Sequence, residues 1–261
     1  MKIQANSLSK NFERDDRSYV EALKDITLSI DSGEIICILG RSGCGKSTFL
    51  NITAGLISQT SGSISIFGQS PHEAKNNITY IQQKPFLLPY RNVFANAALG
   101  LELKNELNEE SITKLEEFLI FLGFKDFYSH YPSELSGGMQ QRLAFARTFS
   151  IKASVVLCDE PFSSLDFDTR VELENFFWVT VKQKEQTSIF VTHQIDSAVA
   201  IADRIVIFTP RPGRISQIIS LDDTLKLLPP NKRRDSDKFS NYYSSVWKAL
   251  QDSNKHIYEQ I

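Results

Sequence analysis

Residues 40–47 read Gly40-Arg41-Ser42-Gly43-Cys44-Gly45-Lys46-Ser47, a complete G-x-x-x-x-G-K-[ST] pattern followed by Thr48. Glycines let the backbone curl until successive N–H groups point inward at an anion. The apolar run 35–39 precedes the pattern as a buried strand, and 48–52 follows it as a helix. The amides therefore fall at a helix N-terminus, where partial positive charge favours phosphate. Lys46 can bridge β- and γ-phosphates, and the Ser47 hydroxyl can ligate Mg²⁺. The alternative, a glycine-rich strand–helix turn that binds nothing, fits this context poorly.

Asp159-Glu160 closes a second apolar run, Val155-Val156-Leu157-Cys158. A strand buried on both faces delivers the residues after it to the C-terminal edge of a parallel sheet, where such sheets place ligands. Alone, the pair reads as a strand entering an acidic turn. Beside a phosphate loop, Asp159 suits a position near the metal and Glu160 a general base facing the attacking water. A third signal is Leu135-Ser136-Gly137-Gly138-Met139-Gln140-Gln141-Arg142. Ser136 can cap a helix whose first amides Gly137 and Gly138 leave uncovered, either as a second anion site or as a plain Ser-Gly helix start.

With these residues in order, the chain resembles the ATP-binding subunits of ABC transporters. LSGGMQQR at 135–142 is that family's signature. Gln83, Asp159-Glu160, Ser164-Leu165-Asp166 and His193 complete the set in sequence, and the resemblance runs from residue 1 to about 210. It implies an α/β P-loop NTPase with a mainly parallel core sheet, an N-terminal antiparallel β region and a helical subdomain carrying the signature. It also implies ATP and Mg²⁺ as cofactors, with Phe12, Gly40, Arg41, Ser42, Gly43, Cys44, Gly45, Lys46, Ser47 and Thr48 around the nucleotide. Phe12 would stack on adenine, or else be a core side chain. Gln82 and Gln83 compete for the glutamine-loop role, and counting back six from Pro89 favours Gln83. Glu160, His193, Gln83 and Lys46 would be catalytic, with Ser47, Gln83 and Asp159 on the metal. Ser136, Gly137, Gly138, Gln140 and Asp166 would act in trans, in a head-to-tail dimer with a second ATP-binding subunit.

The elements that must position these groups follow from hydrophobic period. Short runs at 26–30, 62–68, 155–158, 188–192 and 204–208 read as strands. Stretches 93–103, 111–122, 166–183 and 194–202 read as helices, an alternation that implies a parallel sheet with covering helices. The expected division is an ATPase domain over 1–215, with a helical subdomain at about 84–150, and a C-terminal extension over 216–261. In that extension Phe239, Tyr242, Tyr243, Val246, Trp247 and Leu250 are expected on one helix face, packed on the ATPase or on a partner. Lys232-Arg233-Arg234 reads as a solvated linker, or as a group near anionic lipid headgroups.

Twenty-nine Lys plus Arg against 31 Asp plus Glu give a formal net charge of −2 over 261 residues, without the polycationic field of a nucleic-acid binder. Nothing resembles a secretory leader or a transmembrane span, and three cysteines at no zinc spacing read as reduced thiols. A membrane partner must then supply the attachment. The apolar and aromatic segment 83–93 is expected to receive a permease subunit, or else to be subdomain core. Arg211-Pro212-Gly213-Arg214-Ile215 after an Ala202-Asp203-Arg204 strand is similar to the nitrate, sulfonate and taurine importer branch. That resemblance implies a peripheral subunit on the cytoplasmic face of the membrane, driving uptake of such an anion or a related compound and served indirectly by a solute-binding protein. An exporter ATPase and a soluble ABC ATPase acting on ribosomes or DNA are the competing readings.

Overall fold

The computed structural model describes residues 3–163 and 165–258, the last four by backbone alone; Ser164 of the Ser164-Leu165-Asp166 motif lies outside the described residues. The chain opens with β1 (Ile3–Glu13), β2 (Tyr19–Ile30), β3 (Ile35–Leu39), α1 (Lys46–Thr53), β4 (Ser61–Ile66) and β5 (Ile78–Ile81). A helical part follows, with α2 (Val93–Leu103), α3 (Glu109–Phe121) and α4 (Gly137–Phe149). Strands and helices then alternate through β6 (Val155–Asp159), α5 (Phe167–Gln183), β7 (Thr187–Val191), α6 (Ile195–Ile201), β8 (Arg204–Phe208) and β9 (Ile215–Ser220). Helices α7 (Asp223–Lys226), α8 (Pro230–Arg234) and α9 (Asp237–Tyr258) end the described chain.

Two sheets form. The N-terminal one is antiparallel, ordered β2-β1-β4, and the larger one is ordered β5-β6-β7-β3-β8-β9. Strands β5 to β8 of the larger sheet pair in parallel, and only β9 runs against its neighbour β8. This is the P-loop NTPase architecture expected from the sequence. The continuous apolar run in β3 has a direct cause. Ile35, Cys37 and Leu39 pack with the helices on one face, while Ile36 and Ile38 pack with α1 and the antiparallel sheet on the other. Side chains alternate with period two, so a central strand covered on both sides needs apolar residues at every position. Burial pushes the Cys37 and Cys158 thiols well above their ordinary range, which leaves them as inert packing groups.

The C-terminal segment departs from expectation in three places. Lys232-Arg233-Arg234 is part of α8 and is not a solvated linker. Arg233 is fully buried, with its guanidinium donating to the carbonyls of Leu228, Ala202 and Lys226 at 2.8, 2.6 and 2.8 Å. Arg234 pairs with the fully buried Glu174 at 2.5 Å, beside an Arg170–Asp196 pair at 3.1 Å that joins α5 to α6. Only Lys232 stays in solvent. On α9, Val246 and Ala249 enter the main core with Phe239, Tyr242 and Leu250 against it, while Tyr243 and Trp247 are exposed. The six expected residues therefore do not share one buried face. Residue 215 lies in β9, the edge strand of the large sheet, so the expected division at 215/216 cuts through that strand.

Candidate active site

The parallel order explains how distant motifs meet. In sheet order, the C-terminal ends of β5, β6, β7, β3 and β8 are followed by Gln83, Glu160, His193, the loop 40–47 and Arg211. Four of these five segments line one cleft of about 490 Å³, with Phe12, Arg14, Val20 and Ala22 contributed by the antiparallel sheet. From the phosphate loop, Ser42, Gly43, Gly45, Lys46, Ser47 and Thr48 face it.

The loop's glycines are forced at two positions. Gly45 sits at φ +104°, and a Cβ there would stand 2.7 Å from the Ala22 carbonyl oxygen. Gly43 also has positive φ, at +78°. Gly45, Lys46 and Ser47 at the start of α1 line the cleft. Lys46, nearly buried, donates from Nζ to the carbonyls of Gly40 at 2.7 Å and Arg41 at 3.1 Å, which holds the ammonium under the loop.

Asp159 and Glu160 diverge because consecutive residues leave a strand on opposite sides. Asp159 is buried beside Ser47, Lys46 and Tyr80. Burial raises its carboxyl above the ordinary value against the lowering effect of the Ser47 hydroxyl, and the neighbouring Glu160 charge adds to the rise. Burial, followed by the Asp159 charge, also pushes the Tyr80 phenol up. Glu160 adopts φ +48°, a left-handed conformation costing about 1–2 kcal/mol in a non-glycine residue. Its N–H donates to the Val191 carbonyl at 2.9 Å, and its carbonyl accepts from the Ser163 hydroxyl at 3.1 Å. This turn brings the carboxylate to the cleft, where Oε2 lies 3.0 Å from His193 Nδ1.

Gln83 lines the cleft and Gln82 does not. Phe12 is exposed at the cleft and is no core side chain; Lys10 Nζ stands 5.0 Å from its ring centre. Gly40 closes the loop against β8, and Cys44 turns its side chain inward. Arg41 is exposed. The signature is elsewhere: Ser136, Gly137, Gly138, Gln140 and Asp166 are absent from the cleft lining. Ser136 caps α4 by accepting from Met139 N–H at 3.2 Å, and Asp166 caps α5 by accepting from Thr169 N–H at 3.0 Å. The Thr169 N–H holds the Asp166 carboxyl below its usual range. Gln140 turns its amide back to the carbonyls of Pro132 and Leu135.

Arg14, Val20, Ala22 and Arg211 are cleft residues that the sequence reading missed. The signal for Arg211 was present, because it follows the C-terminal end of a buried strand. What the sequence lacked was strand order: Leu39 pairs with Ile207, so the loop after β8 emerges beside the loop after β3.

Residues 23–163 match the ABC transporter family model. The chain belongs to the ABC transporter ATP-binding family. It is 40% identical to the uncharacterized ABC transporter ATP-binding protein YtlC of Bacillus subtilis, over 90% of each chain. It is 35% identical to the aliphatic sulfonates import ATP-binding protein SsuB of Bacillus cereus, over 94% of each. A taurine import ATP-binding protein, TauB of a Jannaschia species, is 36% identical, over 82% of this chain and 80% of its own. Among solved structures, the ATP-binding cassette MJ0796, a dimer in a post-hydrolysis state with ADP and Pi, superposes with a TM-score of 0.77 at 27% identity. The match covers 84% of this chain and 99% of that one. This ABC subunit is thus an ATPase whose relatives include the sulfonate and taurine import proteins toward which its Arg211–Ile215 segment pointed.

Proposed function

We propose that this ABC ATPase powers an importer of a small anion of the sulfonate or taurine kind, acting as a head-to-tail pair of copies on the cytoplasmic face of the membrane. One observation carries the paired reading. At the start of α4, a Cβ on Gly137 would meet nothing within 4 Å, and one on Gly138 only the tip of Leu165 at 3.4 Å. Neither glycine is required by this chain, and each costs a helix about 0.5–1 kcal/mol relative to alanine. A ligand arriving from outside the chain explains them: the γ-phosphate held by Lys46 of the other copy, approached by the uncovered amides and by the Ser136 hydroxyl.

Within one such composite site, the curled loop and Lys46 fix the phosphate chain, and Phe12 offers a face to the base. Ser47, Gln83 and Asp159 present a hydroxyl, an amide oxygen and a carboxylate, which are the hard oxygen donors Mg²⁺ prefers. Among the described residues no three His, Cys, Asp or Glu side chains form a metal cage, as suits an ion held jointly with phosphate oxygens. When bound, Mg²⁺ would offset charge on those oxygens. Glu160 takes a proton from the attacking water. His193 keeps that carboxylate in place through its Nδ1 contact, leaving Nε2 for the γ-phosphate. Because phosphoryl transfer depends on positioning and charge stabilisation, closing the second copy over the first completes the site.

No helix among the described residues is long and apolar enough to cross a membrane. The segment 83–93 offers a docking surface for permease subunits. Phe86 and Tyr90 are exposed, while Leu87 and Val93 are turned into the core. The loop is held rigid by the fully buried Asn96, which bonds Leu88, Arg91 and Asn92 backbone groups, and by Arg147 on the carbonyls of Pro85 and Phe86. A solute-binding protein would act through the permease. Purification from membranes in mild detergent should recover a multi-span permease, and its yield should fall in a Phe86→Ser/Tyr90→Ser variant. Recovery of ribosomal proteins alone would contradict the importer reading. Glu160→Gln should lower turnover about 10²–10⁴-fold with ATP binding kept, the range expected for a general base; wild-type turnover would remove Glu160 from that role.

A further inference from the structure

The segment 209–214 after β8 is built more tightly than a turn between two strands requires. Thr209 N–H donates to the Arg214 carbonyl at 2.9 Å, Arg214 N–H to the Thr209 hydroxyl at 3.0 Å, and that hydroxyl to the Pro212 carbonyl at 3.0 Å. The loop is then pinned to β2: Gly213 N–H donates to the Ala22 carbonyl at 3.0 Å, and Lys24 N–H to the Gly213 carbonyl at 2.9 Å. It also presses on the back of the phosphate loop, where a Cβ on Gly213 would stand 2.1 Å from the Cys44 carbonyl oxygen. Only glycine fits there. The seam fixes this loop against the two elements that carry the cleft.

Arg211 is what the seam delivers. Its side chain crosses the phosphate loop, and Nε donates to the Gly43 carbonyl at 3.1 Å. Nη2 stands 3.6 Å from where a Cβ on Gly43 would be, and the residue lines the cleft with Ser42, Lys46 and Phe12. Among the described residues it forms no ion pair, although Glu160 lines the same cleft. One N–H is thus spent on aiming a planar cation whose other donors have no partner among the described residues. Such a fork suits phosphate oxygens better than any neutral group.

We propose that Arg211 is a further nucleotide-binding residue, donating its free guanidinium N–H groups to the phosphate chain that the loop 40–47 cradles. The assignment rests on reading this cleft as the ATP site, so its test carries Lys46→Ala as a control. Dissociation constants of ATP and ADP, and competition by inorganic tripolyphosphate, are measured for wild type, Arg211→Ala, Arg211→Lys and Lys46→Ala, with unfolding temperatures taken without nucleotide. Arg211→Ala should weaken ATP, ADP and tripolyphosphate together by about tenfold, as loss of one charged hydrogen-bonding group predicts. Arg211→Lys should recover part of that loss, and the unfolding temperature should stay close to wild type. Unchanged affinities in Arg211→Ala beside weakened ones in Lys46→Ala would overturn this assignment alone. Loss of ATP affinity with unchanged tripolyphosphate competition would also overturn it, by placing Arg211 on the nucleoside. Unchanged affinities in both variants would overturn the cleft reading together with it.

Discussion

Two helix N-termini in this molecule face outward with glycine and serine, and they are built in opposite ways. At α1 the chain supplies every reason for its own sequence. Gly45 must be glycine because β2 lies against it, Lys46 is nearly buried beneath the loop, and the cleft walls come from six segments of the same chain. At α4 the chain supplies almost none. Ser136 makes an ordinary cap, but Gly137 and Gly138 open onto space, in a helix that alanine would strengthen. The first is a phosphate loop whose shape is fixed by its own fold. In the proposed head-to-tail pair the second is half of a site, its open glycines facing the phosphate held by the other copy.

Three substitutions probe that contrast. The largest expected effect lies at neither end and serves as its control. Arg234→Ala strips the fully buried Glu174 of its closest cation, and breaking a buried pair costs about 3–5 kcal/mol. Chemical denaturation should show that loss with ATP affinity unchanged; a parallel loss of affinity would mean that tail and cleft are not separable. Next, Gly45→Ala combines a strained φ with a close contact to the Ala22 carbonyl, together about 2–4 kcal/mol, and should weaken both folding and ATP binding. Retained ATP affinity would break the contrast at α1. The smallest effect is the most diagnostic. Gly137→Ala should raise stability by about 0.5–1 kcal/mol in thermal unfolding while lowering ATP turnover. A stabilised variant with full turnover would show that α4 has no partner to accommodate.

The residues of the loop 40–47 were legible in the sequence because their chemistry is local. A glycine-rich turn, a lysine and a serine between a buried strand and a helix need no tertiary information to be recognised. Glu160 and His193 were legible from motif order, and their 3.0 Å contact follows from β6 and β7 being neighbours. Arg233 was not legible. Within Lys232-Arg233-Arg234 three like charges look solvated, and what buries the middle one is a set of carbonyls from Leu228, Lys226 and Ala202 that only the folded chain assembles. Tyr243 and Trp247 failed for a related reason. The α9 face is selected by contact with α6, β8 and β9, and the apolar stripe was wider than the surface available to cover it.

Sedimentation of Glu160→Gln against Glu160→Gln/Gly137→Asp, each with and without ATP, tests the composite site most directly. A Cβ at Gly137 would meet nothing within 4 Å, and an aspartate there favours a helix N-terminus but repels an incoming phosphate. The expected result is that ATP drives Glu160→Gln into dimers, while the double variant binds ATP equally well, unfolds no earlier and stays monomeric. ATP-driven dimers of equal strength in both proteins, or loss of ATP binding by the monomeric double variant, would contradict a site shared between two copies.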